Sequence, residues 1–435
     1  MSMVQMLCAA FAAWLFLQVG QALFNIFLHP LARFPGPLGA AATSWWKVYH
    51  ELLKDESVIH KYIELHKHYG DTIRVGPNEL HFRSSSAYNE IYNSQNRWAK
   101  HGFFYKTFGS DEASFTFLAH HEAKQRRDIL NPFFSKRAIS DMQDLIQDNV
   151  HHAIQMDSYQ TSFRTQRQVE PRNGWDSVST TDLEMLAKRV SELSLHPKLL
   201  EDTPHATIFH DLLNPKASLD GTVPSSRSLR DEAQALVFAG TDTVGNTLMI
   251  GVFQVLAHPE VYQKLKTELS AAWPSLDEAP SWTELEQLPY LTAVIKESLR
   301  VSNGVSSGLP RVVPSSGARI CGESIPAGTI VGTSSLFVHG DESIFPNNAE
   351  FLVDRWLEPS SKQLDASLVS FSRGPRRCLG MNLAWCELYL AFANVFRKFE
   401  IQLDGTRLED LHWKDRFLPQ YDGPHLRAFM KPVAD

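Results

Sequence analysis

The hydrophobic and polar positions of this 435-residue chain fall into three regimes. The first is an apolar run over about residues 3–28, with no Asp, Glu, Lys or Arg before Arg33. Such a run is long enough to cross a bilayer as a helix. It lacks the positive leader and small-residue cleavage site of a removable signal, so a retained anchor over 1–28 is expected. Gln18, Gln21 and Asn25 leave a tilted or interfacial helix as the alternative. Arg33, Lys47 and later charges then belong on the cytoplasmic side. The second regime is HPLARFPGP, whose three prolines predict an extended, stiff connector over 29–40.

From 41 to 435 there is no repeat, and helical periodicity dominates. WTELEQLPYLTAVIKESLRV carries a capping box, Ser281 to Glu284, and a second helix start near Pro289. DTIRVGPNELHFR, ARICGESIPAGTIVGTSS and HLRAFMKPV have strand character. Residues 156–185 are polar and poorly periodic and are expected to be loop or disorder, within an irregular stretch over 156–200. The expected fold class is one mainly α domain with a minor β-sheet, preceded by the N-terminal helix.

One helix pattern differs. Within EAQALVFAGTDTVGNTLMIGVFQVLAH, Asp242 is the only charge between Ala233 and Ala257. A second membrane span fits poorly with Thr241, Asp242, Thr243, Asn246 and Thr247 clustered in it. A central helix with polar groups facing a cavity fits better. Thr243 can bond back to the Ala239 carbonyl, and Gly240 lets the helix loosen there. A carboxylate beside a hydroxyl can relay protons, or form a satisfied core pair. Glu297 and Arg300 share a helix face, with Arg355 a possible third member. Arg126-Arg127 has the pattern of a solvated basic face.

Charge and cysteines narrow the function. A net charge of −7 argues against a nucleic-acid partner. Cys8, Cys321, Cys378 and Cys386 form neither a disulfide framework nor a zinc pattern, which points to a reducing compartment. Cys378 lies in FSRGPRRCLG, just before an amphipathic helix. The helix dipole and the arginines predict a stabilised thiolate, hence a nucleophile, a redox thiol or a metal ligand. Gly374 and Gly380 leave room beside the backbone, and a flat cofactor with an acidic edge would use both glycines and arginines. An ordinary buried cysteine is the plain alternative.

From the connector to the C-terminus, the order and spacing of these pieces resemble a membrane-anchored cytochrome P450. Phe371, Gly374, Arg376, Cys378 and Gly380 fill every fixed position of that family's haem-thiolate signature. The connector, YGDTIRVGPNELHFR and LNPFFSK look most like fungal enzymes of secondary metabolism, the trichodiene oxygenase-like group. The resemblance implies heme b held by Cys378 as axial thiolate, with Phe371 packed beside it. Arg127, Arg311 and Arg376 would pair with the propionates. Asp242 and Thr243 would deliver protons during oxygen activation, and Glu297, Arg300 and Arg355 would form a buried structural triad. Apolar contacts to a lipophilic substrate, terpenoid or polyketide-like, would come from Phe104, Phe117, Phe238, Val305, Leu309 and Leu418. The other partners implied are O2, NADPH-cytochrome P450 reductase docking on Arg373, Arg377, Arg397 and Lys398, and the endoplasmic reticulum membrane, crossed once.

Four positions depart from the family pattern. Ala123 stands where a Trp or His usually supplies a propionate hydrogen bond. Val244 follows Thr243 where Ser or Thr is common, and Asn348 and Val353 replace prolines. Between Ser135 and Ala239 the chain is several dozen residues shorter than is usual, in the region of the distal lid. That length implies an alternative function: a shortened haem-binding protein with little or no turnover.

Overall fold

The computed structural model describes residues 2–162, 180–203, 205–218, 221–424 and 426–433. Its longer helices are α1 (Met3–Phe27), α2 (Val58–Tyr69), α3 (His120–Leu130), α4 (Gln143–Ser162), α5 (Thr180–Leu195), α6 (Ser226–Ala257), α7 (Pro259–Ala272), α8 (Pro289–Val301) and α9 (Met381–Lys398). The sheet content is small. Strands β1 (Thr72–Gly76), β2 (Glu79–Phe82), β3 (Ala99–Lys100), β4 (Arg311–Val312) and β7 (Ile330–Gly332) form one five-stranded sheet, ordered β1-β2-β7-β4-β3. Only its β2–β7 pair is parallel. Among the described residues there are also three two-stranded ladders: β5 (Ala318–Ile320) with β6 (Glu323–Ile325), β8 (Phe399–Leu403) with β11 (Ala428–Pro432), and β9 (Trp413–Arg416) with β10 (Leu418–Tyr421). The chain is thus mainly α with a minor sheet, as its periodicity predicts.

Helix α1 is long and apolar enough to cross a membrane, and its apolar surface is exposed. Two of its polar residues have a definite task. Gln21 donates to Asn25, and Asn25 donates to the Ala42 carbonyl (3.0 Å) and offers its own carbonyl to the buried Arg74 (2.8 Å). The cation therefore meets the negative end of the α1 dipole and ties the anchor to the sheet. The segment after α1 corrects the expectation of an extended connector. It runs through hydrogen-bonded turns, His29 to Ala32 and Leu31 to Phe34. Leu31 and Phe34 are buried against the sheet, and that burial outweighs the extended preference set by the prolines.

The main core lies between α7, α8 and α9, where Leu265, Trp273, Leu291, Ile295, Leu390 and Phe396 interlock. Helix α6 crosses this core. A Cβ at Gly251 would come within 2.4 Å of Phe392 and 2.5 Å of Ser298, so only glycine admits the approach of α6 to α8 and α9. Both predicted starts stand: the Ser281–Glu284 capping box and the α8 start at Pro289. The expectation of loop over 156–185 is corrected at both ends, because α4 runs to Ser162 and α5 begins at Thr180. In α5, Val190 and Leu193 are buried, an amphipathic stripe that the polar flanks hide. The remainder, 163–179, lies outside the described residues.

Candidate active site

The cysteine loop is folded by its own backbone. A one-turn 3-10 helix spans Gly374–Arg376, and the Cys378 amide returns to the Phe371 carbonyl at 2.8 Å. Gly374 has φ +71°, and a Cβ there would sit 2.5 Å from the carbonyl oxygens of Tyr92 and Asn93. No other residue type fits. Gly380 caps α9, with open space where a Cβ would be. Phe371 is half-buried, and its ring stands 6.0 Å from Trp385.

Cys378 is open to solvent, yet it lies on the floor of a cleft of about 400 Å3 whose walls include Arg97, His120, Arg127, Gly374 and Arg376. Protein atoms nonetheless crowd around the thiol. Burial therefore raises the thiol above its ordinary pKa, and the Gly380 amide and the Arg127 charge only partly oppose it. The expectation of a thiolate stabilised by its own loop is thereby met only in part. The loop favours an anion, but the polypeptide alone does not complete the stabilisation, and a bound metal ion would.

Positive charge converges beside this cleft. Arg376 donates to the carbonyls of Phe117 (3.0 Å) and Ala119 (2.8 Å), while its Nε is buried without a partner. Arg127 donates to the Arg377 carbonyl at 2.9 Å. Arg311 is buried and donates to the Tyr105 hydroxyl at 2.9 Å. Burial, then Arg311 and Arg127, lower the pKa of Arg376. An orphaned guanidinium N–H and three cations sharing one space form a receptor for an anionic edge. Ala123, fully buried, adds no donor.

On α6, Thr243 donates to the Ala239 carbonyl at 2.7 Å, and Thr241 donates to Val237 at 2.8 Å. The helix does not loosen at Gly240. It runs unbroken from Ser226 to Ala257, because each hydroxyl back-bonds within the ladder instead of replacing it. Asp242 is half-buried, and Ala239, Gly240 and Thr241 are exposed.

Glu297 is fully buried and takes the Arg300 guanidinium through two bonds of 2.9 and 2.8 Å. Arg355 lies 3.5 Å from the same carboxylate. Trp356 Nε1 and the Leu352 amide, each at 2.9 Å, are partners that spacing in the sequence does not reveal.

Two expectations about charge are corrected. Arg126 is not on a solvated face: it is buried on Glu232 (3.0 Å) and Ser228 (2.7 Å) of α6, with Phe117 beneath it. A partner distant in sequence was needed to pull it inward. Arg397 is buried too, donating to the carbonyls of Trp273 and Pro274, and Lys398 bonds to His151. Both tie α9 to its neighbours, which leaves Arg377 as the exposed cation beside Cys378, with Arg373 on Asn89.

The apolar candidates separate. Phe104 joins Phe108, Phe115 and Phe417 in one aromatic cluster. Phe417 is the turn between β9 and β10 at φ +77°, held by Asp415, which also binds Ser306 (2.8 Å) and Ser307 (2.7 Å). Leu418 follows in β10, opposite Arg416. Leu309 packs on the sheet core, and its carbonyl accepts from Tyr92. Phe238 is half-buried on α6, and the Val305 carbonyl faces Ser335. None of these six lines the cleft at Cys378.

Comparison with known proteins agrees with this geometry. The family model for cytochrome P450 matches residues 173–420. The chain is 31% identical to the cytochrome P450 monooxygenase flvC of Aspergillus flavus over 507 aligned positions, covering 94% of this chain and 93% of the relative. It is 30% identical to the cytochrome P450 monooxygenase macH of Penicillium terrestre, covering 93% of each. It is 29% identical to the N-acetyltryptophan 6-hydroxylase ivoC of Emericella nidulans, covering 94% of each. A cysteine loop set among converging arginines, in a chain with these relatives, places the protein in the cytochrome P450 family of monooxygenases.

Proposed function

We propose that this chain oxidises a lipophilic secondary metabolite, terpenoid or polyketide-like, using O2 and electrons passed from NADPH through a reductase. One observation carries the haem site: Cys378, Arg127 and Arg376 converge on a single cleft, and the Arg376 Nε is left without a partner. The residues fit heme b, with Cys378 for the iron, Arg127, Arg311 and Arg376 for the propionates, and Gly374 and Gly380 giving room for the ring.

Haem held this way supplies dioxygen activation and oxygen-atom transfer. The chain supplies the rest. The Gly380 amide and Arg127 favour the anionic sulfur that a metal requires. Thr243 points its proton at the Ala239 carbonyl, so its oxygen lone pairs are free to accept a proton passed along α6, with Asp242 beside it as the acid. Phe104 and its aromatic neighbours offer an apolar wall for a lipophilic substrate. Glu297, Arg300 and Arg355 hold the fold beneath the site and take no part in the chemistry. Helix α1 supports an endoplasmic reticulum anchor, with the haem domain on the cytoplasmic side where Arg33 and Lys47 belong. Arg377 supports a docking face for the reductase.

A second reading, haem binding with little or no turnover, is favoured by one observation. The alignment with the Aspergillus flavus relative spans 507 positions, more than this chain's 435 residues, so that relative carries residues this chain lacks. The deciding experiment uses full-length protein in nanodiscs with reductase and NADPH. A thiolate-type ferrous–CO band together with a substrate gaining one oxygen supports oxidation. The band without any such product supports the second reading, and absence of a Soret band refutes both.

A further inference from the structure

Among the described residues, Phe417 is the one aromatic with positive φ; the other non-glycine cases are Asp55, Asn303, Cys321, Asn347 and Ser372. That backbone is costly for a bulky side chain, whereas glycine adopts it freely. Phe417 joins the paired residues Arg416 and Leu418, so a glycine would close this hairpin with less strain. Asp415 holds the strained turn together. Its Oδ1 accepts from the Phe417 amide (3.0 Å) and from the hydroxyls of Ser306 (2.8 Å) and Ser307 (2.7 Å). Ser306 is fully buried. The Phe417 carbonyl in turn accepts from the amides of Ser306 (3.0 Å) and Ser307 (3.4 Å). From the other side, the Asp415 amide donates to the hydroxyl of Ser57, just before α2 (3.0 Å).

Strain of this kind persists where its surroundings over-determine it, and it collects at functional sites. What the turn delivers is a ring. Phe417 stands 4.7 Å from Phe108, 5.9 Å from Phe115 and 6.1 Å from Phe104, each pair tilted or edge-on. It is half-buried, so the cluster does not enclose it. Two contacts join this wall to the site described above. Tyr105, 5.6 Å from Phe115, accepts a hydrogen bond from Arg311 (2.9 Å). Tyr421, at the far end of β10, donates to Asn246 of α6 (2.6 Å), within one turn of Thr243.

We propose that Asp415 is a positioning residue for substrate selection, fixing through the strained turn where the Phe417 ring closes the aromatic wall. The proposal rests on the reading given above of that wall as the lining for a lipophilic substrate. The carboxylate acts without touching a substrate. It gathers three donors on one oxygen, and a charged acceptor holds them more strongly than a neutral one. Without it, the Phe417 amide and two serine hydroxyls lose their shared acceptor. The backbone can then relax to negative φ, which carries the ring away from Phe108 and Phe115. Asparagine keeps an acceptor oxygen at that place but not the charge, so it holds the turn in part.

The test uses full-length holoprotein and two probes, imidazole and phenylimidazole, each followed by the Soret shift that its nitrogen causes. Only phenylimidazole carries a ring for the apolar wall, so the ratio of the two dissociation constants reads the wall separately from the iron. Asp415→Ala and Phe417→Gly are each expected to weaken phenylimidazole about tenfold and to leave imidazole within about twofold. Asp415→Asn should lose about threefold. The double variant Asp415→Ala/Phe417→Gly should lose no more than Phe417→Gly alone, because Asp415 acts through that ring. Phe417→Gly relieves the strain and keeps the Asp415 bonds, so it stays folded even where Asp415→Ala does not. A purely structural role lowers the unfolding midpoint of the Asp415 variants and leaves their ratio of constants at the wild-type value. That outcome overturns the proposal, as does equal weakening of both probes or a double variant that loses the product of the single effects. A wild-type ratio in Phe417→Gly overturns the wall reading itself, and wild-type protein without a Soret band overturns the haem reading, so the failures are distinct.

Discussion

Replacing Glu297 tests the statement that the triad is structural. Its carboxylate is 0% exposed and takes two bonds from Arg300, which is 2% exposed, one from Trp356 and one from the Leu352 amide. In Glu297→Leu the Arg300 cation stays buried with only carbonyl partners, those of His339, Asn348 and Glu350. Breaking a buried pair in this way costs about 3–5 kcal/mol. Unfolding entropy near 60 °C is about 2.1 cal/mol/K per residue. Over 435 residues this converts the loss into a fall in Tm of about 3–5 °C. Thermal unfolding followed by far-ultraviolet circular dichroism reads it. Arg300→Leu should lose a similar amount, and the double variant should lose clearly less than the two singles together, because both buried charges then disappear. Protein that remains folded should keep the wild-type ferrous–CO band. Strict additivity, or a loss below about 1 kcal/mol for Glu297→Leu, would falsify the buried-pair account.

Arg126→Leu leaves Glu232 buried beside Ser114 and should also cost about 3–5 kcal/mol, part of it regained in Arg126→Leu/Glu232→Leu. A solvated Arg126 would instead give a change within about 0.5 kcal/mol in urea unfolding. Thr243→Ala should lower product formed per NADPH several-fold with an unchanged ferrous–CO band. Helix α6 keeps its stability, since alanine is the better helix former by less than about 0.7 kcal/mol; unchanged coupling would remove Thr243 from proton delivery. His339 accepts from the Val369 amide, and burial, then the Arg300 charge, lower its pKa to about 3. The unfolded chain, with His at 6.5, binds the proton first, so stability falls as pH drops from about 6.5 toward 3. At pH 5 this amounts to about 2 kcal/mol, at 1.36 kcal/mol per pH unit. His339→Gln should flatten that acid limb in pH-dependent urea unfolding, and an unaltered limb would count against His339 as its source.

What the sequence determined by itself was everything carried by local periodicity and close spacing. The 3–27 helix, the Ser281 cap, the Thr243 back-bond and the cysteine loop each depend on groups within a few residues of one another. Local geometry brings such groups together whatever the rest of the fold does. Glu297 and Arg300 were legible as a pair for the same reason, but Trp356 as a partner was not. Tertiary structure decided the fate of isolated charges. Arg126 and Arg397 carry the same local signals as surface cations, yet both are buried, because Glu232 and the carbonyls of Trp273 and Pro274 meet them from more than a hundred residues away. It also decided that burial outweighs the Gly380 amide and the Arg127 charge at the Cys378 thiol, and that Lys100 stands among three arginines. Desolvation and charge fields sum over everything packed around a group, and only the folded chain sets that packing.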